Sequence, residues 1–307
     1  MAPAGKKPIV VGVTGAGLER AALAFAAEIA KRDGSDIVLV HAVQDIAPPP
    51  PPAYLLTYEQ AHAVAEHILA EVRQELDRMT GEAVRVRTLA RAGRPAGVLV
   101  EASRDARLVV VQHKTERSLG RLFIGSTANG AAARADCPVV SVPGDWEPSR
   151  LGAEVVVGVH GDGSPRQAIA AGLAWADAAG TSVRVVHGWR LDPAYEGLIT
   201  EVMAEEWNRQ AEKAISDVVA EARKAHSSVT VSVEAHHEWP TPLLIELSAT
   251  AGMVVVGRHG IGRLLGERLG SHARTLLKGP KGPVMVVPVR PEADSPDDDA
   301  DDVSPQT

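Results

Sequence analysis

Two stretches of this chain repeat one another. VVVQHKTERSLGRLFIGS, ending at Ser126, returns as VVVGRHGIGRLLGERLGS, ending at Ser271, 145 positions later. The correspondence runs further: Val11, Gly12 and Val13 match Val157, Gly158 and Val159, His41 matches His187, and Pro138 matches Pro283. A period of this length is too long for a solenoid repeat and suits a whole domain. A length of 307 residues accommodates two such units.

Within each unit, short Val- and Ile-rich runs alternate with Ala-rich helical stretches. The first half predicts strands near 9–13, 37–41, 84–89, 108–111 and 139–142, with helices near 18–32, 58–79, 95–104 and 126–135. The second predicts strands near 154–160, 183–188, 229–234, 253–257 and 284–289, with helices near 165–179, 197–225, 241–250 and 271–278. Nearly continuous apolar strands separated by helices imply an α/β fold, an open five-stranded parallel sheet with helices on both faces, present in two tandem copies. The expected domains are 1–145 and 152–290, joined by GDWEPSR at 144–150, followed by a disordered acidic tail at 291–307. That tail holds seven carboxylates and no base, so the formal net charge of -7 leaves the rest of the chain near neutrality. Pro48 to Pro52 are too stiff for helix and are expected to arch over the sheet edge.

Composition narrows the function classes. With Cys137 the only cysteine, no intramolecular disulfide is possible; beside Pro138 it reads as a packing residue. No apolar run approaches a membrane span, and MAPAGKKP leads directly into a strand, so a soluble cytoplasmic protein is expected. No basic stripe with interleaved aromatics points to nucleic acid.

The two copies differ in their glycines. Gly257, Gly260 and Gly270 stand where the first half has Gln112, Thr115 and Gly125. In an open parallel sheet, ligands settle at the carboxyl ends of strands where the connections diverge. Gly257 and Gly260 would let backbone approach a phosphate there, and Gly270 with Ser271 opens a helix whose free amides favour an anion. Arg258, His259, Arg263 and Arg268 lie close in sequence. Neither GVTGAGLER nor GVHGDGSPR has the dinucleotide GxGxxG spacing, and no GxxxxGK[ST] loop occurs.

The spacing of Gly257, Gly260, Gly270 and Ser271 resembles the phosphate loop of adenine-nucleotide-binding universal stress proteins. The likeness spans both halves, from the VVGV first strands through LVHAV and VVHGW to the CPVVSVP and GPVMVVP endings. It implies strand order 3-2-1-4-5, dimer-like pairing of the two domains, and ATP, with or without magnesium, held mainly by the second domain. Carried over residue by residue, the site comprises Gly158, Val159 and His160 after the first strand and Gly188 after the second. Val256, Gly257, Arg258 and Gly260 continue it, with Gly270, Ser271 and His272 at the helix start; Gly125 and Ser126 are weaker first-domain candidates. His160 and Thr14 stand where ATP-binding members usually carry aspartate.

The other candidates have blander readings. His236, His237 and Glu238 look like a solvated turn rather than a metal cluster, and His41 and His187 like hydrogen-bonded structural residues. Trp175, Trp189, Trp207 and Trp239 read as packing or domain-contact residues, Trp189 being nearest the expected pocket. Three functions are compatible with these features: a non-catalytic nucleotide-responsive regulator with an unidentified protein partner, a slow ATPase, or a nucleotide-independent scaffold with a relic loop. A homodimer is compatible with each.

Overall fold

A computed structural model describes residues 6–15, 17, 19–43, 58–81, 83–113, 124–159, 165–258, 269–277 and 279–288. The proline run, the tail at 291–307 and parts of both phosphate-loop segments lie outside the described residues. The first half comprises β1 (Ile9–Val13), α1 (Arg20–Asp33), β2 (Ile37–Val43), α2 (Tyr58–Thr80), β3 (Val86–Ala92), α3 (Pro95–Ser103), β4 (Leu108–His113), α4 (Ile124–Ala132) and β5 (Val139–Pro143). A 3-10 turn at Pro148–Gly152 leads to the second half. There follow β6 (Val155–Gly158), α5 (Pro165–Ala179), β7 (Val183–Gly188), α6 (Pro193–Glu196), α7 (Glu201–Arg223), β8 (Val231–His236), α8 (Pro240–Leu247), β9 (Met253–Gly257), α9 (Ser271–Leu276) and β10 (Val284–Val287).

Two departures from the sequence expectation have local causes. The strand expected at 84–89 begins at Val86 and continues to Ala92, because its register follows the partner strand, from Ile37↔Val86 to Val43↔Ala92. It ends at Gly93, whose φ of 136° takes the chain out of the strand. The helix expected at 197–225 begins at Glu201, where the Thr200 hydroxyl accepts the Met203 amide at 3.2 Å. A separate turn, α6, precedes it and is capped by the Asp192 carboxylate on the Ala194 amide at 2.9 Å.

Each half orders its strands 3-2-1-4-5, all parallel, and the two sheets fuse. The full order is β3-β2-β1-β4-β5-β10-β9-β6-β7-β8. Only the central pair, β5 with β10, is antiparallel, in the register Ser141↔Val284, Val140↔Met285 and Val139↔Val286. Alternate strand residues enter two cores. Ile9, Val11, Val155 and Val157 pack under α1, α2, α5 and α7, whereas Val10, Val156, Val254 and Val256 pack under α3, α4, α8 and α9. Cys137 belongs to the second core; burial, then the neighbouring Asp136 charge, pushes its thiol up to about 12, so it is a packing residue rather than a nucleophile.

Side chains pin the central seam on both faces. On the α1/α5 side, Phe25 stacks on Trp175 of the other half, ring centres 5.7 Å apart, and meets the linker residue Trp146 edge-on at 5.2 Å. Such pairs contribute about 0.5–1.5 kcal/mol each beyond area burial. At the strand ends, two crossed hydrogen bonds obey the repeat. His113, just after Gln112, directs Nε2 to the Pro280 carbonyl at 3.4 Å, and its counterpart Arg258 directs Nη1 to the Ala135 carbonyl at 2.9 Å. Because a carbonyl can only accept, Nε2 carries the proton, and the buried Ser141 hydroxyl donates to Nδ1 at 3.0 Å. The linker adds a clamp. Arg150 donates to the carbonyls of Lys281, Ser248, Ala249 and Ala251 at 2.6–3.3 Å, gathering the end of α8 and the approach to β10.

Two predictions follow from these contacts. Burial lowers the His113 pKa below its ordinary 6.5 despite opposing contributions from the Pro280 carbonyl and Asp145. The unfolded chain therefore takes up a proton that the folded chain refuses, and stability falls as pH drops through 6.5 toward the folded value. Urea unfolding at a series of pH values should show that loss in the parent protein and a shallower one in His113→Gln. Arg150→Ala strands carbonyls that no single water replaces, and should cost about 1–3 kcal/mol by the same measurement. Arg150→Lys, which keeps charge without the planar fork, should fall between.

Candidate functional site

Chain connections diverge between β6 and β9, whose carboxyl ends form the crevice of the second half. From β6 the chain proceeds to α5 over one core, and from β9 to α9 over the other. Gly158 lies beside Val256, and Val159, just beyond it, donates its amide to the Val186 carbonyl at 3.0 Å. His187 fixes this corner, its Nδ1–H donating to the Val159 carbonyl at 3.1 Å. His41 makes the matching bond to Val13 at 3.0 Å in the first half. Both histidines thus tie the end of the second strand to the end of the first.

On the other wall, Gly257 pairs with Val287, and the Arg258 amide donates to the Val287 carbonyl at 2.7 Å. Gly270 is buried as the cap residue of α9, while Ser271 and His272 are exposed in its first turn. A 2.7 Å hydrogen bond joins His272 Nδ1 to Thr241 Oγ1 at the start of α8, linking the two helices that flank this end of the sheet. His160, His259 and Gly260 lie outside the described residues.

Three of the expected site residues have structural explanations. A Cβ on Gly158 would stand 2.6 Å from Leu244 Cδ1, and one on Gly188 would stand 2.9 Å from the Pro240 Cα. Close approach of α8 therefore accounts for both glycines without a ligand. Arg258, expected among the phosphate-site cations, is only 8% exposed, and its guanidinium crosses the seam to Ala135. Its charge serves the junction between halves.

The corresponding crevice of the first half is filled from within. Gln112, at the Gly257 position, places Oε1 on the amides of Ala21 at 3.0 Å and Ala22 at 3.2 Å, the first turn of α1. Glu19, 2% exposed, accepts through Oε1 from the Thr14 amide and hydroxyl and from the Gly15 amide at 2.7 Å. The weaker candidates Gly125 and Ser126 fall inside the first turn of α4, which begins at Ile124. Sequence reading singled out Gln112 as the counterpart of Gly257. It missed Glu19, whose only signal is an acidic residue just ahead of α1.

Sequence reading also missed a constellation at the carboxyl ends of β7 and β8. Trp189 stacks on His237 at 4.3 Å, meets Trp207 at 5.2 Å and donates Nε1–H to Asn208 Oδ1 at 2.7 Å. His237 Nε2 lies 2.7 Å from Glu196 Oε1, and that carboxylate also pairs with Arg190 and accepts the Leu191 amide at 3.1 Å. Desolvation raises the Glu196 pKa, but Arg190, the Leu191 amide and His237 outweigh it and hold the group below its ordinary value. His236 turns instead to Glu234 at 3.2 Å, so the adjacent histidines serve different partners. Among the described residues, no group of three or more His, Cys, Asp or Glu side chains is placed to hold a metal ion, and no helix is long and apolar enough to cross a membrane.

Comparison with known proteins agrees with this architecture. The model of the universal stress protein family matches twice, at residues 6–143 and 153–288. Universal stress protein Rv2005c of Mycobacterium tuberculosis is 31% identical over 292 residues, covering 91% of this chain and 96% of the relative. A universal stress protein of Mycolicibacterium smegmatis is 30% identical over 291 residues, with the same coverage of each chain. Among solved structures, a universal stress protein from Archaeoglobus fulgidus superposes with a TM-score of 0.67 at 14% identity, covering 92% of this chain and 98% of its own. Two family matches, a fused pair of 3-2-1-4-5 sheets and relatives matched over nearly their whole length identify the chain as a tandem member of the universal stress protein family.

Proposed function

We propose that this chain is a non-catalytic regulator that responds to an adenine nucleotide, ATP with or without magnesium, bound in the crevice of its second half. The observation that carries this reading is the exchange of Gln112 for Gly257. In the first half an internal amide oxygen occupies the first-turn amides of α1. In the second half the matching residue, 257, is glycine and has no side chain to make that contact with α5. A phosphate suits the start of such a helix, because its amides and dipole favour negative charge.

Coupling to the rest of the molecule follows from the chain path. Gly257 pairs directly with β10, and the next residue, Arg258, reaches across to Ala135. A ligand that moves the backbone at Gly257 therefore acts one residue from the seam, where a small displacement alters the packing of the halves. Occupancy then selects between surfaces offered to a protein partner, with no bond made or broken.

Calorimetry with purified protein should give about one ATP per chain, and Gly257→Gln should weaken binding at least about tenfold. That substitution installs a residue with which the first half already folds, so loss of binding is separable from loss of structure; Gly270→Val with Ser271→Ala should abolish binding. Absence of binding heat and of any thermal shift in the parent protein would leave the nucleotide-independent scaffold. Phosphate release that vanishes in Gly257→Gln would establish the slow ATPase instead.

A further inference from the structure

The hydrogen bond between Thr241 and His272 has no counterpart in the first half. At the offset of 145 that relates Gln112 to Gly257, the matching residues are Ala96 and Thr127, and Ala96 has no hydroxyl. The matching helices there close on small residues instead: a Cβ on Gly130 of α4 would stand 2.7 Å from the Ala96 Cβ of α3. In the second half threonines replace both, Thr241 and Thr275, and the Thr241 hydroxyl lies 2.7 Å from His272 Nδ1. The half with glycine at 257 is thus the half that joins these two helices by a polar strut.

The strut stands at the carboxyl ends of the strands that form the crevice. Leu244 of α8 lies against Gly158, the last residue of β6, and Thr241 is one turn earlier on the same helix face, so it sits just beyond that strand end. His272 follows Ser271 in the first turn of α9, which is seated by Ala273 and Leu276 in the core shared with Val254 and Val256 of β9. The hydrogen bond therefore runs from the end of β6 toward the end of β9. With only six residues, α9 has little hold of its own on the direction of its first turn. The tie to α8 supplies it.

Close approach of α8 is what brings Thr241 into range. A side chain at Gly188 would meet the Cα of Pro240, the residue before Thr241, and one at Gly158 would meet Leu244. Either would push α8 away from the sheet and lengthen a contact that fails beyond about 3.5 Å. A threonine hydroxyl both donates and accepts, so the bond forms whichever ring nitrogen of His272 carries the proton. We propose that Thr241 is a positioning residue for the phosphate end of the nucleotide: through His272 it holds the Gly270–Ser271 corner in place relative to the end of β6. The proposal rests on the nucleotide reading above and adds to it a residue outside the glycine spacing. Gly158 and Gly188 then serve the site indirectly, by letting α8 carry Thr241 close enough to bond.

Thr241→Val keeps the shape of the side chain and removes the hydroxyl. Calorimetry with the full chain should show ATP binding about three- to tenfold weaker than in the parent, the range one hydrogen bond accounts for, and Thr241→Ser should restore it. Adding Thr241→Val to His272→Ala should cost nothing beyond His272→Ala alone, because both remove the same bond. The loss should be absent with adenosine, which has no phosphate. In the nitrogen-15 imidazole spectrum the His272 Nδ1 signal should move in Thr241→Val and return in Thr241→Ser, a readout that needs no ligand. Undiminished ATP binding by Thr241→Val, losses that add in the double variant, an equal loss with adenosine, or an unmoved Nδ1 signal would overturn the proposal alone. A parent chain that binds no ATP would overturn the nucleotide reading and the proposal together.

Discussion

The antiparallel contact between β5 and β10 is the constraint on which the rest of the molecule depends. Two separate five-stranded sheets would present four open edges, each a row of unpaired amides and carbonyls. Joining the last strand of each half leaves only β3 and β8 as edges. The contact also requires the halves to face one another about an approximate two-fold axis, because only that arrangement makes equivalent strands antiparallel. Everything at the seam then comes in related pairs. His113 to Pro280 and Arg258 to Ala135 are one hydrogen bond written twice with different side chains.

The difference between those side chains has consequences. Arg258 offers a permanent charge and several donors, whereas His113 offers a ring whose donor pattern changes with protonation. The seam therefore has one end insensitive to proton concentration and one that is sensitive. Phe25, Trp146 and Trp175 close the opposite face through ring contacts. The linker contributes more than connection, since Trp146 enters the core and Arg150 gathers carbonyls from α8 and the turn before β10.

Much of the fold was readable in advance because its signals are periodic or local. The repeat located both halves, and Val-rich runs between Ala-rich ones marked every strand and principal helix. The small errors arose where partners set limits, as when pairing with β2 carried β3 on to Ala92. The candidate site was less readable for a physical reason. A glycine that admits a phosphate and a glycine that admits a helix look alike in sequence, so Gly158 and Gly188 joined the expected ligand site although Leu244 and Pro240 account for them. Arg258 was misassigned for a related reason: sequence proximity to Gly257 says nothing of which way a long side chain turns. Glu19 and the Trp189 cluster depend on contacts between elements that no local pattern reports.

Duplication explains how one copy can lose its opening while the pair keeps its architecture. In the first half Gln112 and Glu19 accept from amides at the turn before α1 and in its first turn. Its contribution is then geometric: β5 for the seam, Phe25 for the aromatic contact and the Ala135 carbonyl for Arg258. The second half, held in place by these contacts, retains Gly257 without having to support the fold alone. Asymmetry between the halves thus lets one copy hold the amides of α1 with Gln112 while the other keeps glycine at the matching position, 257.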